Sequence, residues 1–338
     1  MATIVLVHGI AQEQRSADDL ENEWLPALAG GVRNAGHPTL ADRLWPPRPD
    51  IPRLARIAFY GNRFLTPDQQ GVDTALSHQQ LDTADEVALE WLTNALDSSR
   101  PKDAGSARLE LQALHRDPND PNAQGVGAVG GRILAALDHI PWLSQAGLTA
   151  AGHIDKTLAQ VVRYLTEPDI RGCAIGQVRQ HLDADTRIVV GHSLGSVVAY
   201  EAIRSHQQPP PLLITLGSPL GLNAVNRRLQ QPPAFPAGLG RWVNLADNDD
   251  IVAARPHLTA VFDVNRPTTA RFDSTYTVDN GAQPHRAGFY LGLSSKRCKP
   301  GYFRGLDRRA SKVMSKALRA GFQRAVQRRL PWPVGSRL

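Results

Sequence analysis

A Gly-x-Ser-x-Gly pattern at 191–195 lies between two apolar runs, and this order strongly constrains the fold. Residues 187–190 have the composition of a buried strand, and the apolar stretch that leaves Gly195 is compatible with a helix. So tight a turn between strand and helix strains the backbone of Ser193, and flanking glycines let the two elements approach. We therefore predict a nucleophile elbow that exposes the Ser193 hydroxyl and is supported by Gly191 and Gly195. The alternative is an ordinary Gly/Ser turn.

Short apolar runs and helical patterns alternate along the rest of the chain. The helical pattern at 84–96 places its apolar residues on one stripe, as in a helix that covers a sheet. This alternation predicts an α/β fold with a doubly wound, mostly parallel sheet. The predicted strands are 3–7, 56–60, 187–190, 212–216 and 242–245, with a weaker one at 274–278.

A helical insertion is predicted at 100–166, between the second and third core strands. This stretch contains helical patches, polar Gly/Pro-rich connectors and no clear strand. Apolar patches at 133–137 and 140–144 suit a lid that excludes water from a pocket, and they equally suit a peripheral layer over the sheet. The sequence leaves both interpretations open.

Charge divides the chain into an acidic body at 1–295 and a basic extension at 296–338. The extension holds 13 of the 38 Lys and Arg residues and a single acid, Asp307, so its net charge is +12. The net charge of the body is −6. Apolar residues recur every four positions from Met314 to Leu330, which predicts an amphipathic helix. Weak contact with an anionic membrane, docking on the acidic body and solvation are the alternatives. No base-reading motif is present, so nucleic-acid binding is not expected.

Other sequence features exclude several classes of protein. The two cysteines, Cys173 and Cys298, cannot build a disulfide framework or a four-cysteine zinc site. No run approaches the twenty or so apolar residues that cross a membrane. Residues 1–9 lack a basic leading segment and resemble a core strand, so we predict no cleaved signal peptide and a cytoplasmic location.

A serine nucleophile needs a base and an acid that orients the base, and in this type of fold they follow the serine in the order acid, then histidine. The predicted strand at 242–245 opens into a loop with three carboxylates. We favour Asp250 as the acid, because Ile251 and Val252 should hold it against the body. Asp247 is the alternative acid. At least one of the three carboxylates should be solvated.

Two histidines lie beyond Asp250. His257 follows the acidic loop too closely for another strand to intervene. His285 follows the weak strand and precedes a helix-compatible segment, so we predict His285 as the base. His192, next to the serine, is interpreted as structural or as a wall of the pocket.

An oxyanion hole requires two backbone N–H groups directed at the developing negative charge. Leu194, directly after the nucleophile, should supply one of them. The other should come from the loop after the first strand, where Gly9 allows a sharp turn and presents the N–H of Ile10 or its neighbour.

Taken together, these segments resemble the α/β-hydrolase superfamily, and most of all lipase-type serine esterases with a Gly-His-Ser-Leu-Gly elbow. The resemblance covers residues 3–60 and 185–292 and includes the segments 216–221 and 242–252. It implies an α/β-hydrolase catalytic domain at 1–295, a Ser193–Asp250–His285 triad, no metal and no organic cofactor. Because the first predicted strand begins at residue 3, we expect the antiparallel strands that often open this fold to be missing. The composition of the extension also differs from the usual closing region of the family.

The expected function is hydrolysis of a small-molecule or lipid ester, with a lipid-like or medium-chain acyl group, through an acyl-enzyme. Thioester hydrolysis and acyl transfer use the same residues and are alternatives. A non-catalytic binding module with a hydrolase fold is the alternative from another class.

Overall fold

The computed structural model describes residues 2–46, 53–65, 76–116, 133, 136–141, 153–253, 257–281 and 283–292. The predicted helical extension at 296–338 lies outside the described residues. So does most of the connecting stretch between 117 and 152.

In the described part of the chain, six strands form one sheet in the order β2-β1-β3-β4-β5-β6, and neighbouring strands in it run parallel. The predicted α/β architecture with a parallel sheet is therefore confirmed. The strands are β1 (Ile4–Val7), β2 (Ala55–Ala58), β3 (Ile188–His192), β4 (Leu212–Leu216), β5 (Arg241–Asp247) and β6 (Arg271–Val278).

Three predicted strand ends require correction. The second strand ends at Ala58 rather than Tyr60, because its ladder stops where Ala58 pairs with the last residue of β1. The third continues through Gly191 to His192, since both residues still pair with β4. The fifth extends to Asp247, which pairs with Val278 of β6, so this acid ends a strand instead of lying in a loop.

Helices cover both faces of the sheet, because alternate residues of each strand point to opposite sides. Ile4 and Leu6 of β1 pack in a core with α1, α2 and α10, whereas Val5 and Val7 pack in a second core with α3, α5, α6 and α7. The helices are α1 (Ala17–Asn34), α2 (Pro38–Leu44), α3 (His78–Ala95), α4 (Pro101–Arg116), α5 (His153–Thr166), α6 (Pro168–Gln180), α7 (Leu194–Arg204), α8 (Asn223–Asn226), α9 (Thr259–Phe262) and α10 (Ala287–Leu291).

Capping side chains explain where the two long helices begin. Ser16 and Asp19 form a capping box at the start of α1, and Ser77 and Gln80 form one at the start of α3. The predicted helix at 84–96 thus begins earlier, and its predicted apolar stripe is buried.

The described part of the insertion belongs to the helical layer over the sheet. The core that contains α3 also buries Ala107 of α4, Leu158 of α5 and, between these helices, Leu137. The interpretation of this region as a lid remains a prediction, because much of the segment lies outside the described residues. Among the described helices, none is both long and apolar enough to cross a membrane.

The strand order creates a crevice at the carboxyl edge of the sheet. The chain passes from β1 outward to β2 and then returns to the other side of β1 to form β3. The loops that leave β1 and β3 therefore diverge, and such a reversal is where ligands bind in open α/β sheets.

Candidate active site

Ser193 stands at the turn from β3 to α7 in a strained conformation. Its φ and ψ are 53° and −132°, a region that residues with a Cβ rarely adopt. Its N–H donates to the carbonyl of Leu216 at 3.0 Å, which ties the turn to the neighbouring strand. The predicted elbow geometry is present at this serine.

Glycines permit the close approach of strand, helix and loop at this turn. A Cβ on Gly195 would collide with the carbonyl oxygens of Val7 and His8, and one on Gly191 would lie 2.6 Å from the carbonyl oxygen of Gly195. A Cβ on Gly9 would lie 2.7 Å from the Cβ of Ser193. The three glycines that the sequence indicated therefore lie at the close contacts that join β1, β3 and the start of α7.

The structure brings together the three side chains predicted to form a triad. The Ser193 hydroxyl donates to Nε2 of His285, with 2.9 Å between Oγ and Nε2. The Nδ1–H of His285 donates to Oδ2 of Asp250 at 2.8 Å. These contacts join residues 92 and 35 positions apart in the sequence.

The Asp250 carboxylate is fully buried and surrounded by donors. Besides His285, the hydroxyl of Tyr290 donates to Oδ2 at 2.8 Å, and the N–H of Val252 donates to Oδ1 at 3.1 Å. Burial by itself would raise the pKa of this carboxyl, but the nearby imidazole and the donated hydrogen bonds hold the pKa below its usual value. Asp250 therefore stays ionised beside His285.

Asp247, the alternative acid, has a different set of partners. Its carboxylate accepts hydrogen bonds from the backbone N–H groups of Asp249 and Asn280, and burial raises its pKa to about 7. The Asn280 side chain in turn donates to the carbonyl of Pro284 at 2.9 Å, directly before His285. Asp247 thus shapes the loop that carries His285.

Asp249, the third carboxylate, binds the connection between α3 and α4. It accepts hydrogen bonds from the N–H and hydroxyl of Ser99, each at 2.7 Å. It is therefore a structural link between the helical layer and the loop after β5.

His192 lines the crevice and also holds the loop of His285. Its Nε2–H donates to the carbonyl of His285 at 2.7 Å. Burial lowers the pKa of His192 to about 3, so the ring is neutral and can keep this single donor geometry. Both sequence-based interpretations of this residue, structural and pocket wall, fit its position.

A hydrogen bond in the loop after β1 fixes the orientation of the N–H of Ile10. The Nδ1–H of His8 donates to the carbonyl of Gly9 at 2.7 Å, and in a trans peptide the following N–H points the opposite way. The N–H of Ala11 is already used, because it donates to Oε1 of Gln160 at 2.9 Å. Of the two amides considered from the sequence, only that of Ile10 is left for a ligand.

The second predicted oxyanion donor is the N–H of Leu194. As the first residue of α7, Leu194 has no acceptor within its own helix. Within the described ranges, neither this amide nor that of Ile10 has an acceptor on another residue. Both are therefore available to a negatively charged oxygen beside Ser193.

Sequence reasoning missed several side chains that support the site. They are His8, Tyr60, Gln160, Asn280 and Tyr290, each of which fixes a backbone group or the Asp250 carboxylate. Glycine at 217 was likewise not singled out, although its φ of +54° and a Cβ position 2.8 Å from Oδ2 of Asp250 exclude a side chain. The sequence signals near them were Gly9, in the loop after the first strand, and the segment 216–221.

A cleft of about 370 Å³ opens over Ser193 and His285. Trp24 of α1 and Trp91 of α3 line it, one from each helical layer, together with Ile10 and Val252. An ion pair between Arg15 and Glu23 lies among its lining residues. The cleft is therefore mostly apolar with a charged pair at one part of its wall.

No metal site accompanies these residues in the described part of the chain, where no group of three or more His, Cys, Asp and Glu side chains is arranged to hold a metal ion. Comparisons with protein-family models, with curated proteins and with solved structures gave no match.

Replacement of His8 tests its buried, neutral state. Burial lowers the pKa of His8 to about 4 from an ordinary value of 6.5. Between pH 6.5 and 4 the unfolded chain binds a proton at this ring and the folded chain does not. As the pH is lowered through this range, His8 should therefore reduce the free energy of unfolding by about 1 kcal/mol for each pH unit.

We expect the variant His8→Asn, which keeps an N–H donor and does not titrate, to show a shallower decline in urea denaturation across this pH range. The matched control is His257→Asn, because His257 is exposed. Equal slopes for His8→Asn and the unmodified protein would contradict the assignment of a buried neutral ring.

Proposed function

We propose that the protein is a serine hydrolase of the α/β-hydrolase fold that cleaves a carboxylic ester. The observation that carries this proposal is the continuous hydrogen-bonded series from Ser193 through His285 to the buried Asp250. A serine hydroxyl is a weak nucleophile until such a base accepts its proton. The strained turn at Ser193 and the chain order serine, aspartate, histidine support the same fold and chemistry.

In the acylation step, Oγ of Ser193 attacks the ester carbonyl carbon while Nε2 of His285 takes the hydroxyl proton. The carbon–oxygen double bond opens, and its electron pair becomes the oxyanion of a tetrahedral intermediate. The carboxylate of Asp250 stabilises the imidazolium that forms, and it keeps the ring in the tautomer with hydrogen on Nδ1.

The N–H groups of Leu194 and Ile10 stabilise the oxyanion. Both are held in place before the reaction, the first by the elbow and the second by the His8–Gly9 hydrogen bond. Fixed donors of this kind stabilise charge as it develops, without a reorganisation cost at the moment of reaction.

Collapse of the intermediate breaks the bond to the alcohol, which takes the proton from Nε2 of His285. Water then enters, His285 removes one of its protons, and the hydroxide attacks the acyl group on Ser193. The second tetrahedral intermediate releases the carboxylic acid and returns the proton to Ser193.

The cleft supports an ester with an apolar portion. Its volume of about 370 Å³ and the tryptophans on two sides suit a medium-chain acyl group rather than a bulky polymer. We therefore place the substrate among medium-chain or lipid-like esters.

The proposal is tested by hydrolysis of p-nitrophenyl esters with acyl chains of increasing length. We expect saturable turnover, and a loss of at least about 10³-fold in kcat for Ser193→Ala, because the covalent route is removed. The matched control is Ser205→Ala, which removes a hydroxyl at the opposite end of α7. Full activity of Ser193→Ala would exclude Ser193 as the nucleophile.

A second test separates the two carboxylates. The change Asp250→Asn should lower kcat about 10³- to 10⁴-fold, because an amide no longer enforces the required tautomer of His285. The change Asp247→Asn should cost much less, because Asp247 binds backbone N–H groups of the loop. A larger loss for Asp247→Asn than for Asp250→Asn would reverse the assignment of the acid.

A further inference from the structure

Ala11, in the loop after β1, has a left-handed backbone conformation although it carries a Cβ. Its φ is 57°, a value that glycine adopts readily and other residues adopt rarely. Ala11 is exposed to solvent, so burial of its own side chain does not hold it in this conformation. Such conformations persist only where the surrounding structure enforces them, and they are concentrated at functional sites. Ala11 directly follows Ile10, whose N–H is a proposed oxyanion donor.

The peptide group between Ile10 and Ala11 is held at both of its polar atoms. Its carbonyl oxygen, which belongs to Ile10, accepts a hydrogen bond from Nε2 of Gln12 at 3.1 Å. Its N–H, which belongs to Ala11, donates to Oε1 of Gln160 at 2.9 Å. Gln12 is part of the same loop, whereas Gln160 lies on α5, 149 positions along the chain from Ala11. The hydrogen bond to Gln160 therefore ties this peptide group to the helical layer over the sheet.

The side chain of Gln160 is itself fixed in place. It is buried, with 1% of the residue exposed, and its Nε2 donates to Oε2 of Glu13 at 2.9 Å. An ionised carboxylate only accepts hydrogen bonds, so this contact determines the orientation of the amide and directs Oε1 at the N–H of Ala11. On α5, Leu158 and Val162 are buried in the core that contains α3. Gln160 therefore presents a fixed acceptor to the loop.

We propose that Gln160 is a positioning residue of the oxyanion hole. It holds Ala11 in the left-handed conformation and thereby keeps the N–H of Ile10 directed at the oxyanion. This inference rests on the proposed function, because it takes that N–H as an oxyanion donor. Without the acceptor on Gln160, the peptide group after Ile10 is free to rotate and Ala11 can relax. A small displacement of a group that acts on the transition state lowers the rate strongly.

The first experiment removes the acceptor with Gln160→Leu and measures hydrolysis of p-nitrophenyl hexanoate. We expect kcat to fall about 10- to 100-fold and KM to change less than about twofold, because the oxyanion forms only after the ester is bound. The matched control on the same helix is Thr166→Val, which removes a hydrogen bond with Gln80 of α3 and should leave kcat unchanged. Urea denaturation establishes that both variants are folded.

A pair of ketone inhibitors separates positioning of the oxyanion hole from a general disturbance of the cleft. With 1,1,1-trifluoroheptan-2-one, Oγ of Ser193 adds to the carbonyl carbon, its proton passes to His285, and the carbonyl oxygen becomes an oxyanion. Heptan-2-one binds as the intact ketone. In Gln160→Leu we expect the inhibition constant of the fluorinated ketone to rise about 10- to 100-fold and that of heptan-2-one to change less than about twofold.

A charge exchange between Gln160 and Glu13 tests the hydrogen bond itself. Gln160→Glu alone places two carboxylates against each other, and their repulsion at pH 8 turns the new side chain away from the loop. Adding Glu13→Gln restores a donor and an acceptor in exchanged positions, and the carboxylate at position 160 can again accept from Ala11. We expect kcat to fall about tenfold in the single variant and to return to within about threefold of the unmodified protein in the double variant.

Three results would overturn the inference while leaving the proposed function intact. They are an unchanged kcat in folded Gln160→Leu, equal weakening of both ketones, and a double variant no more active than Gln160→Glu. If Gln160→Leu does not fold, the charge exchange decides. Absence of turnover of every ester by the unmodified protein would overturn the proposed function, and this inference with it.

Discussion

The carboxylate of Asp250 is buried away from water, and the surrounding donors stabilise its charge. They come from three segments: the loop after β5, the loop that carries His285, and helix α10 through Tyr290. An unpaired buried charge is very costly, so these segments have to stay together for the carboxylate to remain ionised. The short helix α10 therefore helps to hold the site together through Tyr290. Tyr290 also accepts a hydrogen bond from the N–H of Asp247, which links the end of β5 to the same point.

Three histidines meet around Ser193, and burial and hydrogen bonding give them different roles. His8 and His192 are buried, their pKa values are lowered, and each neutral ring fixes a backbone carbonyl. His285 lies between a carboxylate and a hydroxyl, which is the position of a base. The two neutral histidines orient peptide groups on either side of the serine, so the geometry of the proposed oxyanion hole and of the base depends on both of them.

The sequence predicted the parallel sheet, and it named three side chains that the structure brings together. Buried parallel strands are visible in a sequence as short apolar runs. The required chain order of serine, acid and base left few residues as candidates for the acid and the base. The choice of Asp250 over Asp247 followed from the apolar residues after Asp250, and these do hold it in the interior, with Ile251 2% exposed. The prediction that Asp247 lies in a loop was wrong, because backbone pairing with β6 continues to this residue.

The supporting residues could not be predicted, for a physical reason. Gln160 lies 149 positions from its partner Ala11, and Tyr290 lies 40 positions from Asp250. Contacts of this kind depend on how layers pack, and no periodicity or motif encodes them.

The most direct measurement of the central claim is covalent labelling of the folded protein with a fluorophosphonate, with the modified residue located by mass spectrometry. We predict a single adduct on Ser193, absent from Ser193→Ala and strongly slowed in His285→Ala, because the reagent reacts with a serine whose proton has a base. A protein that is folded by circular dichroism and yet forms no adduct, or forms it at another serine, would contradict an activated nucleophile at Ser193.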